Sequence, residues 1–293
     1  MKCSLGIRRT LVVSGVASLM LGATVVAGAS TTGAYNAADA KLVPSAYKSA
    51  TLQVATDATY APDESMKGTT MIGFDVDMMK AVATTLKLNI KENNVTFDGI
   101  IAGITAGRYV IGNSSFTDTK AREKSVNFVD YFQAGEGVYA KSSSTLKFKG
   151  FSSFCGWKVA VETGTTEQTD ASAASKSCPS SKKIDVVTFP TQTEANLAVL
   201  SGQANVGFVD SQIAGYIVST SAGKFKLLGS AVNVAPYGIA TPKTPAGQGL
   251  AKAIQAALKT LVANGTYGAI LKKWGVSGGA LPVGKIVLNG ATS

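Results

Sequence analysis

Two stretches with the same grammar decide the fold: FDGIIAGITAGRYVIGNSSFTD, residues 97–118, and TEANLAVLSGQANVGFVDSQIA, residues 193–214. Each sets an apolar helical run before a small residue and a glycine, Ala106-Gly107 in one and Ser201-Gly202 in the other, a pair suited to a helix C-terminus. Each continues as a short apolar strand and closes on polar residues, Asn113-Ser114-Ser115 in the first and Asp210-Ser211 in the second. Like units about 95 residues apart predict two lobes of like construction.

The flanking sequence agrees. TLQVATDA alternates in strand formers, and TYAPDES reads as a loop. In GFDVDMMKAVATTLKL, Val76, Met79, Val82, Ala83 and Leu86 fall on one helical face, with Asp75 expected as the cap; NIKENNV returns as a strand. Strand, helix, strand predicts parallel α/β architecture, in which ligands bind at the carboxyl ends of the strands.

Those ends carry the candidate chemistry. In NSSFTDTKAREK, residues 113–124, hydroxyls on Ser114, Ser115 and Thr117 precede Arg122. A guanidinium pairs a carboxylate through two parallel hydrogen bonds while hydroxyls satisfy its other lone pairs; a Ser/Thr turn capping a helix is the plainer reading. Asp210 at the matching place in the second unit favours the ligand reading, because a cation and an anion across a cleft fit an amino-acid zwitterion. KVAVETGTTEQTDASAA adds a strand, a loop and a helix beginning near Thr165 and Thr166, where free amides favour an anion, though a threonine N-cap explains the pair equally well.

Composition narrows the class. The chain has 293 residues, enough for two domains, with 45% hydrophobic and 16% charged residues, a well-packed globular balance. Residues 1–29 read as a signal peptide: Lys2, Arg8 and Arg9, then LVVSGVASLMLGATVV, then Ala27-Gly28-Ala29 as the cleavage site, so the mature protein is expected to be exported. Arg8-Arg9 leaves twin-arginine export open beside the general route. Loss of the leader would lower the formal charge from +10 to +7, and the remaining cations come in pairs at most, which argues against nucleic acid. Cys155 and Cys178 remain and are expected to form a disulfide; their spacing fits no metal motif. There is no histidine, P-loop or GxGxxG, so catalysis would need carboxylate, lysine or tyrosine chemistry, and no metal or cofactor is expected.

At these residues the chain resembles the type II periplasmic amino-acid-binding proteins of ABC importers, the group that includes lysine/arginine/ornithine, histidine and glutamine binders. The similarity runs from Leu52 to Trp274 through an ordered set of motifs: VATDATYAP, GFDVDMMKAVA, TFDGIIAGITAGRY, SSFTDTKARE, FVDYF, VAVETGTTE, VGFVDS, YGIATPK and NGTYGAILKKWG. It implies an α/β fold of two Rossmann-like lobes with a ligand cleft between them, joined by two hinge strands near 135–141 and 234–239. The implied division is a flexible linker at 30–50, lobe one at 51–137 plus 237–279, lobe two at 138–236, and a tail at 280–293 with no functional reading. Arg122 would clamp the ligand carboxylate, helped by Thr117 and the amide of Thr166. Asp210 would accept the α-ammonium with Ser115 assisting. Tyr60 would form an aromatic wall; Asp57, Ser114 and Glu162, with Glu64 nearby, would touch the distal side chain; Phe97 would help to wall the pocket. Ile100, Tyr139 and Trp157 are expected to serve packing.

Val110, Asn127 and Asn205 stand where such proteins commonly have Asp, and VVAGAS lacks a lipobox cysteine. The implied protein is a monomer that delivers an amino acid, basic in preference to glutamine-like, to a membrane permease. Exported dehydratases acting on prephenate-like acids share this architecture and form the alternative, as does a sensing module for a receptor.

Overall fold

The computed structural model describes residues 1, 2 and 30–291; apart from Met1 and Lys2, the leader reading lies outside the described residues. The stretch 30–50, read as a flexible linker, instead carries two short helices, α1 (Ala37–Lys41) and α2 (Ser45–Lys48). Asn36 caps α1 by accepting from the amides of Ala38 and Asp39, and Thr260 donates to Asp39 at 2.7 Å, which fastens the segment to the body.

The first lobe continues with β1 (Thr51–Thr56), a small antiparallel sheet of β2 (Thr59–Tyr60), β3 (Glu64–Lys67) and β4 (Thr70–Ile72), then α3 (Phe74–Leu86), β5 (Asn89–Asn94), α4 (Asp98–Thr105) and β6 (Ile111–Gly112). β1 pairs in parallel with both β5 and β6, as strand–helix–strand connectivity requires. Gly73 precedes α3 at φ 150°, where a Cβ would stand 1.9 Å from the carbonyl oxygen of Asp63, so only glycine fits. Asp75 does not cap α3 as expected. It lies inside the first turn on the buried face and accepts instead from the Ser115 amide at 2.9 Å and the Tyr131 hydroxyl at 2.6 Å.

The chain crosses on β7 (Val126–Lys141) into the second lobe, built from β8 (Lys158–Glu162), α5 (Thr166–Ser177), β9 (Asp185–Phe189), α6 (Gln192–Ser201), β10 (Val206–Asp210), α7 (Ser211–Thr220) and β11 (Phe225–Leu227). It returns on β12 (Val232–Pro242) to α8 (Pro245–Ala263) and α9 (Thr266–Trp274) in the first lobe. The sheet runs β5-β1-β6-β12-β7-β10-β8-β9, with β11 also on β7. Its outer strands are parallel within each lobe, while β7 and β12 form an antiparallel ribbon shared by both, interrupted by register shifts between Val232 and Ala235 and between Tyr237 and Gly238. The first lobe's core packs α3, α8 and α9 together through Met78, Met79, Ala253, Ile254 and Ile270. Ile100 of α4 is wholly buried against Phe97 and Phe116, the packing role expected of it.

In the second lobe, Phe154, Val159, Val161 and Phe208 are buried together, and Cys155 and Cys178 are joined as a disulfide beside them. Tyr139 is fully buried with its ring edge-on to Phe225, and Trp157 packs on Phe154, the packing roles expected of both. The disulfide spans a sequence separation of 23 residues. Replacing both cysteines by serine is expected to lower unfolding stability by about 3 kcal/mol in the chain-entropy account, read as an earlier urea midpoint of the second lobe.

The tail also has a place. Ala280 and Leu288 bridge Phe132 and Val129 of β7, and Ile286 is wholly buried in the first lobe's core. Among the described residues no helix is long and apolar enough to cross a membrane.

Candidate functional site

Between the lobes lies a narrow, nearly closed cavity, lined from the first lobe by Asp57, Tyr60, Glu64, Phe97, Ser114, Ser115, Thr117 and Arg122. The second lobe contributes Glu162, Thr165, Thr166, Glu167 and Asp210. All eleven small-molecule contacts expected from sequence are therefore brought to one cavity, with Glu64 and Glu167 added.

Its cationic end is Arg122, on a short 3-10 turn (Arg122–Lys124). The guanidinium donates to the carbonyl of Thr117 at 2.8 Å and, across the cleft, to that of Gly164 at 2.9 Å. It lies 5.4 Å from the ring centres of both Phe97 and Phe116, which hold its plane by cation–π attraction. The hydroxyls of Thr117 and Thr166 approach to 3.3 Å from opposite lobes. Thr165 is the N-cap of α5: its hydroxyl accepts from the Gln168 amide at 3.2 Å and donates to the Glu162 carbonyl at 2.8 Å. The helix start thus faces the cavity with amides more than with the Thr165 hydroxyl, and those amides favour an anion beside Arg122.

Asp210, the last residue of β10, supplies the opposing charge. It accepts from the Tyr60 hydroxyl at 2.8 Å, a bond that joins the lobes. Burial pushes its carboxyl up to about 6, held down from a larger rise by the hydroxyls of Tyr237 and Tyr60 and by Arg122. Glu167 stands close by, 1% exposed and raised by burial and then by Asp210, with Arg122 opposing. Sequence reading missed it because an acid in the first turn of a helix is ordinary; only its buried, cavity-facing position sets it apart.

A third charged group forms the far end. Asp57 accepts from the amide and hydroxyl of Thr59 at 3.0 and 2.7 Å and from the Phe97 amide at 3.0 Å. Its carboxyl also reaches Glu162 in the other lobe, and Glu162 is pushed up to about 10 by burial and then by Asp57. The pair shares one proton, with Asp57, the better supplied with donors, as the ionised member. Ser114 and Ser115 have engaged hydroxyls: Ser114 donates to Glu64 at 2.9 Å, and Ser115 donates to Asp63 at 3.0 Å. Two further bonds draw the lobes together, Gln212 to Asp63 at 2.8 Å and the Gln192 amide to the Thr59 hydroxyl at 3.3 Å.

One guanidinium and five carboxyls therefore line the cavity. That set can hold an anion at Arg122, an ammonium at Asp210 and a second cation between Asp57 and Glu162. Among the described residues no group of three or more His, Cys, Asp or Glu is arranged to hold a metal ion.

The profile of the bacterial extracellular solute-binding proteins, family 3, matches residues 52–277. The arginine-binding protein ArgT of Corynebacterium glutamicum is 28% identical over 214 residues, 72% of this chain and 69% of that protein. The ABC transporter glutamine-binding protein GlnH of Bacillus subtilis is 31% identical over 208 residues, 69% of this chain and 72% of that protein. A solved structure of an ancestral arginine-binding protein bound to arginine superposes with a TM-score of 0.71 at 29% identity, covering 78% of this chain and 99% of that one.

Proposed function

The chain belongs to the bacterial extracellular solute-binding proteins, family 3, and from that premise we propose that it captures an amino acid with a basic side chain and presents it to the permease of an ABC importer. The observation that carries this reading is the placement of Arg122 and Asp210 on opposite lobes of one cavity. A zwitterion spanning them makes both ion pairs only when the lobes are together, so binding favours closure. The Asp57–Glu162 pair adds a seat for a cationic side-chain end, which favours arginine or lysine over glutamine. Micromolar affinity corresponds to about −8 kcal/mol, within reach of charge-assisted pairs shielded from water.

The protein acts as an exported monomer whose leader is removed near Ala29, and it is a carrier and not a catalyst. The absence of histidine supports that reading, since the commonest general base is missing. The site holds a substrate by groups already committed to charge pairing, and closure with ligand inside is the event a permease would sense.

Calorimetric titration of refolded mature protein against the standard amino acids, ornithine and citrulline tests the proposal. Micromolar binding confined to basic amino acids is expected, with Asp210→Asn weakening it at least tenfold. Binding of glutamine alone would overturn the basic assignment. Binding of no amino acid would overturn the carrier reading and direct attention to the dehydratase alternative.

A further inference from the structure

The segment Ile286–Ala291 crosses the back of the ribbon that joins the lobes and ends on the loop bearing the guanidinium. Asp130 of β7 donates its amide to the Val287 carbonyl at 2.9 Å. Asn289 donates its amide to the Phe128 carbonyl at 3.0 Å and accepts from the Phe128 amide at 2.8 Å. The Ala291 amide then donates to Glu123, the neighbour of Arg122, at 3.2 Å. Beneath the segment lie Asp118 and Asp130, 1% and 2% exposed, with their carboxyls within hydrogen-bonding reach of each other. Both Asp118 oxygens and Oδ1 of Asp130 lack a full hydrogen bond from outside the pair among the described residues, and the Gly290 amide of the segment only approaches Asp118. The crossing is so close that a Cβ on Gly290 would stand 2.1 Å from Oδ2 of Asp130.

We propose that Ile286–Ala291 is a positioning strap: closed over the Asp118–Asp130 pair and tied to Glu123, it holds the Thr117–Arg122 loop in the geometry that receives the ligand carboxylate. Its effect on affinity rests on the amino-acid reading above; its hold on the loop does not. Asp118 adjoins Thr117 and donates its amide to the Pro236 carbonyl of β12 at 2.9 Å, so the pair links strap, loop and ribbon. Two buried acids facing each other keep a proton between them while the strap excludes water. The charged groups beside them are Glu123 and Lys120, which pair with each other at 3.1 Å. Burial and then Asp118 push the Asp130 carboxyl up to about 8. Because that value is raised by docking, the docked strap is favoured in acid and loses its advantage as pH rises toward about 8.

Gly290→Val sets a branched side chain against Asp130 without shortening the chain. Amide hydrogen exchange, corrected for intrinsic rates, is read on residues 118–125 and 286–291 of ligand-free protein at about pH 5.5 and pH 8.5. The variant is expected to speed exchange in both segments about tenfold and to weaken binding of the tightest amino acid by a similar factor. Wild type should loosen at the higher pH, and Asp130→Asn should stay protected at both. Faster exchange at 286–291 with unchanged protection at 118–125 would overturn the proposal. A chain ending at Val287, which keeps the buried Ile286, gives the same comparison if Gly290→Val does not fold. If wild type binds no amino acid, the functional reading fails while exchange at 118–125 still decides the strap.

Discussion

Arg122→Ala is expected to weaken amino-acid binding by about 10²- to 10⁴-fold, the loss of roughly 3–5 kcal/mol that follows removal of one partner from a buried ion pair. The guanidinium already makes contacts in both lobes, to Thr117 and Gly164, and its plane is fixed between Phe97 and Phe116. A ligand carboxylate meeting it would leave one charge uncompensated once the side chain is gone, with only Thr117, Thr166 and the first amides of α5 to replace it. Arg122→Lys keeps the charge but gives up the planar fork, so an intermediate loss is expected. Titration calorimetry separates the outcomes. An alanine variant within threefold of wild type would mean that the carboxylate is bound elsewhere and would remove the basis of the zwitterion arrangement.

Glu162→Gln is expected to discriminate between ligands. A hydrogen bond to a charged group contributes about 1.5–3 kcal/mol, so arginine and lysine should bind about 10- to 100-fold more weakly while glutamine changes little. A pH signature accompanies this. With the lobes together and no ligand between them, burial and then Asp57 across the cleft push Glu162 up to about 10. A cation seated between Asp57 and Glu162 favours the ionised form, so the filled closed cleft holds fewer protons than the empty closed one. Affinity for a cationic ligand therefore rises with pH, by up to about tenfold per unit between pH 5 and 8, and a proton is released on binding. The glutamine variant should lose the part that Glu162 supplies and keep only the rise below about pH 6 that Asp210 contributes. Equal loss for basic and neutral ligands, or affinity independent of pH, would make the pair a structural feature of the closed cleft and not a specificity device.

The two-lobed plan was legible because its signals are local. Ala106-Gly107 and Ser201-Gly202 end their helices at residues of positive φ, and the strands that follow deliver Ser114, Ser115 and Asp210 to the cavity. What sequence hid depends on contacts far along the chain. Asp75 looks like a helix cap until its carboxylate is seen to meet Ser115 and Tyr131. The helices Ala37–Lys41 and Ser45–Lys48 are too short to show a periodicity, and Thr260, far along the chain, fastens the first of them through Asp39. The tail carries no periodicity, since its partners are backbone groups of β7 some 160 residues earlier. Glu167 was hidden differently, because its residue type is common where it stands and only burial makes it unusual.

The shared ribbon of β7 and β12 has a kinetic meaning as well as a geometric one. Two paired strands crossing between the lobes resist swivelling more than a single crossing would, which favours half-sites that face each other. Arrival of the second half at a ligand held by the first is then an intramolecular encounter, at an effective concentration of about millimolar or higher. The translational freedom that two separate proteins would lose on assembling such a site is lost once, during folding. Capture can accordingly run near the rate at which the small molecule diffuses into an open cleft, with closure following on the microsecond-to-millisecond scale of hinge motion.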